Sequence, residues 1–200
     1  MRFPVFIRLL LFYACCLQPG ISAAQPTILA FGDSLSAAYG IPREAGWVNL
    51  MQQELQRSHQ VINASISGET TTGGRQRIAA ALRQHKPDIV IIELGANDGM
   101  RGAPIEDIEA NLAELIRQSR RAHAKVLLLG MKLPPNYGVK YTAEFKALYP
   151  KLAQRHHAAL VPFFLEGIAP EQFQADNLHP VASAQPIILR NVMQKLEPLL

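Results

Sequence analysis

In FGDSLSAAYG (residues 31–40) a serine follows a glycine and an aspartate at the point where an apolar run breaks off. A serine hydroxyl is a weak nucleophile at neutral pH. Acyl transfer therefore needs an imidazole to take its proton and a carboxylate to hold that imidazole. Asp176 and His179, in DNLHP (176–180), are of the right types, and their three-residue separation lets one loop present both. The carboxylate would face one ring nitrogen and leave the other for Ser34. A tetrahedral intermediate would also need donors for its oxyanion, and the backbone N–H groups of Ser34 and Gly68 and the side-chain amide of Asn97 are suitable in type. Each of these residues has a plainer use as well. Ser34 is a common kind of helix cap, Gly68 a turn glycine, and Asn97 a loop residue that can cap its own backbone. Asp176 and His179 could be a surface pair beside a proline that opens a helix. As metal ligands these two are insufficient, with no third ligand nearby, so no metal is expected.

What raises the odds is position. Five nearly continuous aliphatic or β-branched runs read as strands buried on both faces: TILAFG (27–32), QVINAS (60–65), DIVIIEL (88–94), KVLLLG (125–130) and LVPFF (160–164). Between them, helical spacing is marked by Trp47, Leu50, Met51 and Leu55, by Ile78, Ala81 and Leu82, and by Ile105, Ile108, Leu112, Leu115 and Ile116. A fourth helix carries Phe145, Leu148 and Leu152 after Thr142, and a fifth runs from near Ser183 to about Leu196. Strand and helix in strict alternation predict one domain with an open five-stranded parallel sheet between two helical layers, a three-layer α/β/α sandwich. In such folds ligands bind beyond the carboxyl ends of the strands. Ser34, Gly68 and Asn97 each follow a different strand, and Asp176 and His179 precede the last helix.

With these four blocks the sequence resembles the SGNH subclass of the GDSL hydrolases, a family named for Ser, Gly, Asn and His, which here fall on Ser34, Gly68, Asn97 and His179. The likeness covers essentially all of the chain after residue 24. ELGANDGMRG (93–102), KLPPNYG (132–138) and YPKLA (149–153) are similar to the bacterial periplasmic thioesterase I, lysophospholipase and arylesterase branch. The resemblance implies a flavodoxin-like SGNH fold, a Ser34/Asp176/His179 triad and an oxyanion hole from Ser34, Gly68 and Asn97. It also implies a serine esterase acting on small acyl esters or thioesters, lysophospholipid among them, without cofactor. No G-x-S-x-G elbow is present, which disfavours the larger α/β-hydrolase fold. Asp33 is read as structural support. The late-loop residues Leu133, Tyr137, Ile168 and Phe173 are expected to line an acyl groove. Two readings compete: a carbohydrate O-acetylesterase, and a non-catalytic periplasmic lipid-binding module that would need neither Ser34, Asn97 nor His179.

Composition is consistent with one globular domain of 200 residues, 48% hydrophobic and 18% charged. Arg2 and Arg8, then LLLFYACCL (9–17), then Ser22-Ala23-Ala24 form the basic, apolar and small-residue regions of a secretory signal peptide over residues 1–24. The apolar run is far short of the roughly 20 residues that span a bilayer. Both cysteines, Cys15 and Cys16, lie inside it, so the exported chain over 25–200 would carry no thiol. A lipid anchor on either is a minor alternative, since bulky Phe12 and Tyr13 precede Cys15. Removing Arg2 and Arg8 with the leader leaves 18 basic residues against 16 acidic ones, a net charge of +2. That excess is too small for a nucleic-acid footprint. The chain is expected to be a periplasmic or secreted monomer without stable membrane insertion. His59, His85, His123, His156 and His157 lie in or beside polar helical stretches and read as surface residues.

Overall fold

The computed structural model describes residues 24–200. The leader read over residues 1–24 thus lies, but for its last residue, outside the described residues. The apolar runs form five strands: β1 (Thr27–Gly32), β2 (Gln60–Asn63), β3 (Ile89–Glu93), β4 (Lys125–Leu129) and β5 (Ala159–Val161). They pair in parallel in the order β2-β1-β3-β4-β5, the flavodoxin-like order, whose connection reverses direction between β1 and β3. The helices are α1 (Trp47–Leu55), α2 (Thr71–His85), α3 (Ala96–Met100), α4 (Ile105–Arg121), α5 (Val139–His156) and α6 (Gln185–Leu196). Helices α1 and α6 pack together on one face, and α2, α4 and α5 pack side by side on the other. The sheet between them is dry: Ile28, Leu29, Phe31, Val90, Ile91 and Ile92 have no accessible surface.

Four strands are shorter than their sequence runs, β3 and β4 by end residues only. The run LVPFF ends as a strand at Val161, because Pro162 has no N–H to donate to a ladder. β2 stops at Asn63, whose side-chain oxygen accepts from the Ser65 N–H at 3.1 Å and turns the chain out of the sheet. Helix α2 begins seven residues before Ile78, where the Thr70 hydroxyl caps the Gly73 N–H at 3.2 Å. Helix α3 has no apolar periodicity to announce it. Among the histidines read as surface groups, His59 is buried, its Nδ1 2.9 Å from Ser58 Oγ.

Register fixes what stands at the site. Gly32 of β1 lies opposite Glu93 of β3, so the loop that follows β1 starts beside a buried carboxyl.

Candidate active site

The three-residue spacing of Asp176 and His179 closes a tight turn. Asp176 Oδ1 accepts from the backbone N–H groups of Leu178 (2.9 Å) and His179 (3.0 Å), and Asn177 at the apex takes φ +55°. That leaves Oδ2 for the side chain, 2.7 Å from His179 Nδ1. The N–H bonds from His179 and Leu178 hold the Asp176 carboxyl down at about 2. An ionised Oδ2 makes Nδ1 the donor, and Nε2 is then the acceptor for the Ser34 hydroxyl at 2.8 Å. Gln174 ties this loop down: its N–H donates to His179 O (2.7 Å), and its Nε2 donates to Tyr39 O (2.9 Å) in the loop that carries Ser34. Tyr39 also lies against the His179 ring, centroids 4.5 Å apart. Gln174 and Tyr39 carry no sequence signal of this role, since neither belongs to a spaced motif.

The second half of the site hangs on α3. Asp98 accepts from Thr71 N (2.9 Å) and Thr71 Oγ1 (2.6 Å), pinning α3 to the start of α2. Beside it, Asn97 Nδ2 donates to Asp33 Oδ2 and to Glu69 O, both at 3.0 Å. The amide plane is thereby fixed from two sides, and any oxyanion there must share one of those hydrogens. The backbone N–H groups of Ser34 and Gly68 have no acceptor among the described residues. Gly68 takes φ +78°, a conformation that glycine adopts without a Cβ penalty. Asp33 is buried, and that burial pushes its carboxyl up to about 6. Glu93 is completely enclosed; burial, and then the charge of Asp33, raise it well above the usual carboxylate range.

Ser34, Asn97 and His179 open onto a cleft of about 370 Å³, within the size range of small-molecule sites. Its wall is mainly apolar: Leu35, Met100, Met131, Leu133, Pro134, Phe163, Leu165, Phe173 and Leu178. Two of the four groove residues expected from sequence, Leu133 and Phe173, are there. Tyr137 and Ile168 are not in that lining. Tyr137 sits in the short turn Pro135–Tyr137 and Ile168 closes the turn after Leu165; both are partly buried against the hydrophobic core. Gly68 also stands outside the cleft lining, joined to it through the neighbouring Glu69 carbonyl. Met100, the last residue of α3, and Met131, two residues past β4, also line the cleft, and neither is marked by a motif in the sequence. Among the described residues no three His, Cys, Asp or Glu side chains are grouped as metal ligands.

Comparison with known proteins agrees with this fold. The chain is 48% identical to Esterase TesA of Pseudomonas aeruginosa over 183 residues, covering 89% of this chain and 91% of that protein. It is 42% identical over 180 residues to Thioesterase 1/protease 1/lysophospholipase L1 of Escherichia coli, covering 89% of this chain and 86% of that protein. The solved structure of the psychrotrophic esterase EstA from Pseudoalteromonas sp., inhibited by monoethylphosphonate, aligns with a TM-score of 0.83 at 41% identity, over 87% of this chain and 98% of that one. Residues 30–185 match the GDSL-like Lipase/Acylhydrolase family, and the chain belongs to that family of ester hydrolases.

Proposed function

We propose that the protein is an exported serine esterase that hydrolyses medium- and long-chain acyl esters and thioesters through an acyl-enzyme on Ser34. One observation carries the reading: Ser34 Oγ, His179 and Asp176 are linked by contacts of 2.8 and 2.7 Å at the head of an apolar cleft. His179 Nε2 takes the hydroxyl proton as Oγ bonds to the substrate carbonyl carbon. The imidazolium is held by ionised Asp176. The oxyanion falls to the N–H groups of Ser34 and Gly68 and to Asn97 Nδ2. As the tetrahedral adduct collapses, the bond to the leaving oxygen or sulfur breaks and His179 returns the proton to it. Water then enters, gives a proton to His179, and releases the acid as Ser34 regains its hydrogen.

Thioester cleavage and lysophospholipid as substrates are supported by the name of the Escherichia coli relative. Export rests on the leader-like residues 1–24, and N-terminal sequencing of the secreted protein should begin at Gln25. No helix among the described residues is long and apolar enough to cross a membrane. The O-acetylesterase reading has less support, because a wall of Met, Leu and Phe side chains gives sugar hydroxyls few partners.

Each buried methylene contributes about 0.8 kcal/mol, so four more acyl carbons should raise kcat/KM by about two orders of magnitude if their contacts persist in the transition state. The test is kcat/KM from acetyl to palmitoyl esters of one leaving group. A maximum at acetyl would reject the acyl cleft.

A further inference from the structure

Behind the oxyanion donor lies a pair of carboxyls to which the reaction as described gives no part. Asp33 and Glu93 are each 1% exposed, and the Asp33 N–H donates to Glu93 Oε2 at 3.2 Å, which sets the two carboxyls side by side. Neither forms an ion pair with Lys or Arg among the described residues. Two ionised carboxylates in contact, dry and without a counter-cation, are strongly disfavoured.

The donors around the pair decide where one proton goes. Asp33 Oδ1 accepts from the Leu35 N–H at 3.0 Å and Oδ2 from Asn97 Nδ2 at 3.0 Å, so both oxygens of Asp33 act as acceptors. Glu93 Oε2 also accepts twice, from the Asp33 N–H at 3.2 Å and the Ser36 hydroxyl at 2.8 Å. Glu93 Oε1 is buried with no donor facing it. A proton on Oε1 would give that orphaned atom a hydrogen to donate, while both oxygens of Asp33 stay acceptors.

We infer that Asp33 and Glu93 hold one proton between them, on Glu93, and that the remaining charge on Asp33 is the positioning group that aims the Asn97 amide at the oxyanion. The inference rests on Asn97 serving that oxyanion, and it gives Glu93 the part of a neutral hydrogen-bond donor locked under the nucleophile loop. Burial raises both carboxyls, Asp33 to about 6, in accord with that distribution. The other titratable groups near the pair are His179 across the cleft, Tyr149 from α5 and Asp98 from α3. On the α2 side, Arg77 is engaged by Glu69 at 2.5 Å and by the Ala64 carbonyl at 2.7 Å.

Infrared spectra of the exported chain at pH 7 test the proton directly. A buried carboxylic-acid C=O band should be present in the parent, persist in Ser34→Ala and disappear in Glu93→Gln. Because Ser34→Ala keeps the band whatever the nucleophile, failure here is separable from failure of the triad. Kinetics test the positioning. Asp33→Asn should lower kcat by about tenfold or more with KM nearly unchanged, as expected for weakened aim at a developing oxyanion. It should also remove one proton from the acid limb of the kcat/KM profile. Glu93→Ala should lower kcat similarly, and Glu93→Gln, which keeps a neutral donor, should restore most of it. A missing acid band at pH 7, a loss in Glu93→Gln as deep as in Glu93→Ala, or an Asp33→Asn effect on KM alone would overturn the inference. If Asp33→Asn does not fold, the band and the Glu93→Gln rescue still decide it.

Discussion

A hydroxyl beside an imidazole becomes a nucleophile only when the imidazole has somewhere to put its charge, and in this chain that place is Asp176 Oδ2. Asp176 stays ionised down to about 2 because two backbone N–H groups bind its other oxygen, so its orienting charge is constant across any working assay pH. Asn97 differs, since both of its amide hydrogens are already engaged. Asn97→Ala should lower kcat by roughly 10²- to 10³-fold with little change in KM, the loss typical of one oxyanion donor; a pure KM effect would make it a substrate-binding residue instead. The raised carboxyl of Asp33 has a consequence for stability. Between its ordinary 3.8 and its folded value of about 6, the folded chain binds more of this proton than the unfolded chain does. Stability from this group therefore declines as pH rises through that window. Melting curves of the parent and Asp33→Asn at pH 4, 5, 6 and 7 should show the parent losing ground relative to the variant as pH rises. A constant difference would remove the shift.

At the scale of elements, the cleft wall depends on how closely β4 and β5 approach beyond the ladder. Gly130 N–H donates to Val161 O at 2.7 Å, and a Cβ at Gly130 would stand 2.3 Å from Pro162 O. The atom in the way is backbone, which cannot swing aside. Gly130→Ala should cost about 1–3 kcal/mol in a denaturant melt and raise KM by displacing Met131, Leu133 and Phe163; an unchanged melt would show that β5 shifts freely. The strands were legible because Ile28–Phe31 and Ile89–Ile92 are uninterrupted apolar runs, which only a sheet covered on both faces accommodates. Helix α3 was not, because Ala96–Met100 is one short turn with no apolar face, held by Asp98 on Thr71 rather than by its own propensity. Loop direction was equally hidden: Leu133 and Tyr137 lie four residues apart in one segment, yet only Leu133 reaches the cleft lining. Glu93 has no motif to single it out within DIVIIEL, and only its register opposite Gly32 reveals what it touches.

For the whole molecule, the order β2-β1-β3-β4-β5 explains why residues up to 145 positions apart meet. β1 and β3 are neighbours at the reversal of the sheet, so the loops bearing Ser34 and Asn97 leave side by side, and the chain returns only before α6 to deliver His179. The four spaced motifs were readable because each stands at a strand end or helix start, whereas the ties that lock them together, Gln174 to Tyr39 and Asp33 to Glu93, are set by tertiary packing alone. The central claim is that this convergence makes Ser34, and no other hydroxyl, the attacking group. The measurement is labelling of the exported chain by an alkyl fluorophosphonate, read by intact mass and peptide mapping. One adduct should form on Ser34, none in Ser34→Ala, and its rate should fall by about 10³-fold or more in His179→Ala, where no base takes the proton. A label on another residue, or a folded Ser34→Ala variant that still hydrolyses esters at the parent rate, would contradict the account.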